Sequence, residues 1–202
     1  MCPEVFEIVK KMDLTNVETR LALQCAPVIM GIKMSNLLIV SSKDEKLVSE
    51  ILEGTEIQSY CLHRQEKKTT YLLFRLSEFI SYIHEPNVRY VLMQFGYNDL
   101  TFVGILAVFQ KRYMSYMKYK KDFPHEMGLL LGYPIEDVEG FIKNKGENYL
   151  YAGYWKVYRN VEEKKLLFDA YESAKEGLLL LVGYGYQMRS IIEYLHENRI
   201  CE

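Results

Sequence analysis

A chain of 202 residues with a 49% hydrophobic fraction can bury one sizeable core and lies far from the composition of disordered segments. Its net charge of -2 supplies no field that would recruit nucleic acid or an anionic membrane surface. The four cysteines, Cys2, Cys25, Cys61 and Cys201, form neither a CxxC pair nor a zinc spacing, which points away from a disulfide or zinc scaffold and towards reduced thiols in a cytoplasmic protein.

The N-terminus carries charges throughout Met1 to Asp13 and lacks the apolar stretch of a signal peptide. No apolar run reaches the roughly 18 residues that a membrane span needs. Thr15-Asn16-Val17-Glu18 has capping-box form and predicts the start of a helix, apolar nearly all round, that Pro27 ends or kinks. Leu37–Val40 is a continuous apolar run, as in a central strand. Asp44–Glu53 predicts a helix with Gly54 in the left-handed cap position. Ile57–His63 and Thr70–Arg75 follow as a hairpin around the polar turn Gln65-Glu66-Lys67-Lys68.

Leu76, Phe79, Ile80 and Ile83 share one helical stripe, and Pro86 stops that helix. Further helices are predicted from Asn87 to Phe95 and from a cap at Asn98 or Asp99 to about Met117. Pro124 and Glu126 suit the first turn of a short helix that Gly132 closes. Pro134 opens the next helix at its first position, Glu136 and Asp137 sit in its first turn, and Gly146 follows its end. Tyr149–Tyr158 reads as one aromatic strand, predicted to share a sheet with Leu37–Val40 and Thr70–Arg75. A helix from Val161 to about Lys175 is interrupted at Glu176-Gly177; Leu178–Val182 fits strand or helix, and Gln187–Glu197 is a last helix. The order implies an α+β fold, a small mixed sheet packed with many helices in a single domain, with residues 1–175 as its body and 176–202 as a helical extension packed on it.

Leu23-Gln24-Cys25-Ala26-Pro27, Gly31-Ile32-Lys33, Phe123-Pro124-His125-Glu126, Gly132-Tyr133-Pro134, Asp137-Val138, Gly140-Phe141-Ile142 and Gly153-Tyr154-Trp155-Lys156-Val157-Tyr158 stand in this order. In that combination the chain resembles a bacterial family, the domain of unknown function numbered 3793, over roughly Asp13 to Ala174. Val28 and Met34 stand where the resemblance leads one to expect threonine and proline. The resemblance implies no activity, so chemistry has to come from the residues.

His125 falls at a predicted helix N-terminus, where free backbone donors favour an anion and a neutral imidazole. It reads as a base, a ligand-binding donor or a metal ligand, or else as a cap packed on Tyr133. Cys25 lies towards the C-terminal end of its helix, the wrong end for a lowered thiol pKa, and reads as a small core residue unless His125 approaches it. Trp155 and Lys156, adjacent on a strand, should face opposite sides, Trp155 inward and Lys156 to solvent or a pocket. His125-Glu126 lacks the second histidine of a helical zinc motif, and no dinucleotide fingerprint, GxSxG or Walker loop is present, so no metal or cofactor is expected.

Two functional classes remain. One is a non-catalytic binding module for a small anionic ligand or a partner protein, its site built from Lys33, His125, Tyr133 and Lys156. The other is a hydrolase or acyl-transfer enzyme using His125 with Cys25 or Glu126.

Overall fold

The computed structural model describes residues 3–200, with side chains through 198; Cys2 and Cys201 lie outside the described residues. The architecture is α+β, as the element order predicts. Its elements are α1 (Pro3–Val9), α2 (Val17–Ile29), β1 (Ser35–Ser41), α3 (Glu45–Leu52), β2 (Ile57–Arg64), β3 (Lys68–Arg75), α4 (Leu76–Ile83), α5 (Pro86–Gln94), α6 (Phe102–Tyr119), α7 (Met127–Leu130), α8 (Ile135–Lys143), β4 (Tyr151–Ala152), β5 (Lys156–Val157), α9 (Val161–Gly183) and α10 (Met188–Ile200). The chain divides into two compact units, Met1–Ser77 with Tyr171–Glu202, and Glu78–Ala170.

The first unit is built on a three-stranded antiparallel sheet in the order β1-β3-β2. Central β3 is buried from Thr69 to Arg75, on both faces, which is why residues 71–74 run without the polar alternation of a half-exposed strand. In the register Leu38 lies opposite Tyr71 and Tyr60 opposite Leu72, with a bulge between Cys61 and His63. Tyr71 and Leu73 join a core with Leu21, Cys25, Val48 and Ile57. Leu178, Leu179, Met188 and Ile192 belong to that same core, so the chain's C-terminal helices complete it.

The segment around Cys25 has a structural role here. The Gln24 side-chain amide donates to Ile39 O (3.1 Å) and accepts from Ile39 N (2.9 Å), doing for β1's outer edge what another strand would do. Asn36 Nδ2 donates to Gln24 O, and the Cys25 thiol donates to Leu37 O at 3.5 Å.

Several boundaries differ from expectation for identifiable reasons. Asn16, rather than Thr15, caps α2, its side chain accepting from Glu18 N and Thr19 N. Pro27 does not end that helix, which runs on to Ile29; the Pro27 carbonyl accepts from Ile32 N and Lys33 N and turns the chain. Thr101 caps α6 by accepting from Gly104 N, while the Asp99 carboxylate accepts from Thr101 N. Helix α9 passes through Glu176-Gly177 unbroken: its buried Leu178 and Leu179 outweigh the low propensity of one glycine. Tyr149–Tyr158 is not a third partner of the sheet. It forms its own two-stranded hairpin, with Tyr151 opposite Val157 and Ala152 opposite Lys156, within the second unit.

Gly132, Gly146 and Gly54 have φ of 73°, 77° and 76° and follow α7, α8 and α3, as their positions after amphipathic runs predict; after α8 the left-handed turn begins one residue earlier, at Lys145. Alanine at Gly132 or Gly146 is expected to lower stability by about 1 kcal/mol, because a side chain is strained at positive φ. Denaturant unfolding checks this, and unchanged midpoints in both variants would contradict it.

Candidate functional site

The second unit holds a cavity of about 280 Å³. Its lining comes from the loop before α7, the Tyr133 turn, α8 and the β4–β5 hairpin. Phe123, His125, Tyr133, Phe141, Tyr154 and Trp155 supply rings to it, with Lys156 and Asp137 as its charged groups.

Local sequence explains how these side chains converge. The left-handed Gly132 ends α7 and Pro134, with φ of -55°, leads directly into α8, placing Tyr133 at the corner. Gly153 allows the hairpin to turn tightly against α9: a Cβ there would lie 2.4 Å from the Phe168 ring. Trp155 stacks on Tyr133 (4.6 Å between centroids, 25° between planes) and meets Phe168 edge-on at 4.6 Å. Phe123, His125 and Phe141 form a second chain of ring contacts at 5.2 and 5.6 Å.

Asp137 fixes the hairpin to α8. Its carboxylate, 2% exposed, accepts from Trp155 Nε1 at 2.7 Å and from Tyr158 N at 2.7 Å. Each oxygen thus accepts one structural hydrogen bond, and this carboxylate, the one among the cavity's described lining residues, ties the hairpin to α8. The Lys156 ammonium donates to Gly146 O at 2.5 Å and lies 4.7 Å from the Tyr149 ring centre and 5.9 Å from that of Phe141. Among the described residues, no carboxylate lies at ion-pair distance from it. Burial pushes the Tyr133 phenol up from its ordinary pKa.

The structure thus brings His125, Tyr133 and Lys156 to one cavity. Trp155 and Lys156 both line it, rather than facing opposite sides, because Trp155 precedes a strand of only two residues and no pleat alternates them. His125 stands before a helix of four residues, too short to sum a macrodipole, and packs against Phe123 and Phe141.

Glu126 is not among the residues that line this cavity. Its carboxylate, 2% exposed, accepts from Arg112 Nη1 at 3.0 Å and from the Tyr97 hydroxyl at 3.2 Å. Burial, and then the Glu126 charge, hold the Tyr97 phenol protonated.

Lys33 and Cys25 are residues of the first unit, whereas the cavity takes its lining from the second. The Lys33 ammonium donates to Asn36 Oδ1 at 2.7 Å and lies 6.0 Å from the Tyr171 ring centre; burial lowers its pKa to about 8, against the opposing effect of Cys25. Cys25 is fully buried, and burial pushes its thiol up to about 12. A thiol held protonated is a poor nucleophile. A thiol reagent should therefore modify half-buried Cys61 before Cys25 in the native protein, as read by mass mapping of the labelled peptides. Faster labelling of Cys25 would contradict this account of its burial.

Asp137 escaped sequence reasoning as a site residue. An acid in a first helical turn has an adequate local explanation, and nothing local announces a partner 18 positions away. Among the described residues no cluster of histidine, cysteine and carboxylate could hold a metal ion, and no helix is long and apolar enough to cross a membrane.

A family model described as "Protein of unknown function (DUF3793)" matches residues 21–192. No curated protein and no solved structure matches the chain significantly.

Proposed function

Since the chain belongs to that family, whose description names no activity, we propose that it is a non-catalytic binding module of the bacterial cytoplasm that holds a small anionic ligand in the cavity beside His125. The cavity's ring-walled lining, with one lysine that no carboxylate among the described residues neutralises, carries the reading. Ligand pockets combine mostly apolar walls with a few placed polar groups in this way. The candidate catalytic partners of His125 support binding over chemistry: the Glu126 carboxylate is held by Arg112 and Tyr97, and the Cys25 thiol is buried and protonated. A partner protein is the weaker fit, because the polar group that selects the ligand sits in a concave wall of limited volume.

Trp155 is the chain's only tryptophan and lines the cavity, so its emission reports occupancy without a label. The non-fluorescent anion 4-nitrobenzoate is expected to quench it along a saturating curve. Quenching that rises linearly with concentration, as for random collisions, would contradict the reading.

A further inference from the structure

The two chains of ring contacts constrain the shape of what the cavity accepts. Tyr133 and Trp155 are close to parallel, and Phe168 abuts Trp155 at 87°, so the indole cannot turn without breaking that contact. Asp137 holds the indole nitrogen at 2.7 Å and fixes the ring in its own plane as well. His125 is fixed in turn between Phe123 and Phe141. Walls of rings held in place favour a planar body, which gains face-to-face and edge contacts that a puckered body of the same carbon count loses.

Charge constrains the other end of the ligand. Lys156 spends one of its three N–H donors on Gly146 O, which leaves two for a ligand. Each Asp137 oxygen already accepts one hydrogen bond, from Trp155 Nε1 or Tyr158 N, so this carboxylate has less to offer a ligand cation than a free one would. Aromatic walls attract cations in general, but here the Lys156 ammonium already lies beside Phe141 and Tyr149 and would repel a second positive charge.

Resting on the binding role proposed above, we infer that the ligand is a flat aromatic or heteroaromatic monoacid. Its ring lies among Tyr133, Trp155 and Phe141, and its carboxylate pairs with Lys156. The ion pair forms against the lining of a largely apolar cavity, where screening by water is weaker than at an open surface.

Isothermal titration with three probes separates the parts of this inference. 2-Naphthoate is planar and acidic, 2-naphthamide is planar and neutral, and trans-decalin-2-carboxylate is acidic but saturated. The naphthoate is expected to bind about tenfold more tightly than either of the others. Equal binding of the decalin acid would overturn the planar body while leaving the anion-binding role intact. Equal binding of the naphthamide would overturn the role of the acid group in both proposals. Binding by none of the three would remove the cavity as a ligand site. In Lys156→Met the advantage of naphthoate over naphthamide should disappear, whereas Lys156→Arg should keep most of it. Retention of the full advantage in Lys156→Met would overturn the assignment of Lys156. The wild-type comparison decides the ligand class even if the methionine variant fails to fold.

Discussion

Replacing Arg112 by methionine should destabilise the second unit by about 3 kcal/mol, because it strands a buried carboxylate. Glu126 is 2% exposed, and Arg112 supplies the positive charge at 3.0 Å that makes its ionised form tolerable there. The same guanidinium donates to Phe95 O at 2.6 Å and lies 4.9 Å from the Tyr97 ring centre, so one side chain joins the end of α5 and the body of α6 to the loop that carries His125. Glu126→Gln removes the charge and keeps an oxygen to accept from Arg112 and Tyr97; its cost should be nearer 1 kcal/mol. The double variant should then be less unstable than the sum of the two, since the guanidinium's loss no longer abandons a charge. Trp155 emission during denaturant unfolding gives the midpoints, and an Arg112→Met midpoint no lower than that of Glu126→Gln would contradict this account.

Asp137→Ala should have a comparable effect, about 3 kcal/mol, by leaving the buried Trp155 Nε1 and the part-buried Tyr158 N without their acceptor. Asp137→Asn keeps the shape and one acceptor oxygen, so about half of that loss is expected. The two variants also differ at the cavity. In Asp137→Ala the indole loses the bond that fixes its orientation, and its emission should move to longer wavelength as water reaches it. An Asp137→Ala protein with wild-type stability and unshifted emission would show that the hairpin is held by something else.

These two networks mark where sequence reasoning stops. Chain punctuation was legible: Gly54, Gly132 and Gly146 announce positive-φ turns after their helices, and the polar turn between Ile57–His63 and Thr70–Arg75 announces a hairpin. The gathering of His125, Tyr133 and Lys156 is a consequence of that punctuation, since Gly132, Pro134 and Gly146 fold the intervening chain into two short helices and a turn. What stayed hidden depends on partners distant in sequence. Arg112 and Glu126 are 14 positions apart, Asp137 and Trp155 are 18 apart, and each residue has a sufficient local reason to be where it is.

The aromatic segment Tyr149–Tyr158 misled for a different reason. Alternating rings have the period of a strand, but Gly153 breaks the segment into a tight hairpin, and its rings serve as cavity wall and surface rather than as one face of a large sheet. Lys33, read from the sequence as a ligand-binding cation beside His125, is instead buried in the first unit, its ammonium on Asn36 and beside the Tyr171 ring. Helix α1 carried little signal, as Val5 is its one buried residue among those described.

The central claim is that the cavity beside His125 is a ligand site, and the single indole of the chain tests it most directly. In a ¹⁵N-labelled protein the Trp155 Nε1–H gives one resolved cross-peak, already shifted by its bond to Asp137. Titration with 2-naphthoate should move that peak progressively to saturation, at the concentrations where calorimetry detects binding. A peak that stays in place while heat is released would put the bound acid elsewhere and contradict the account.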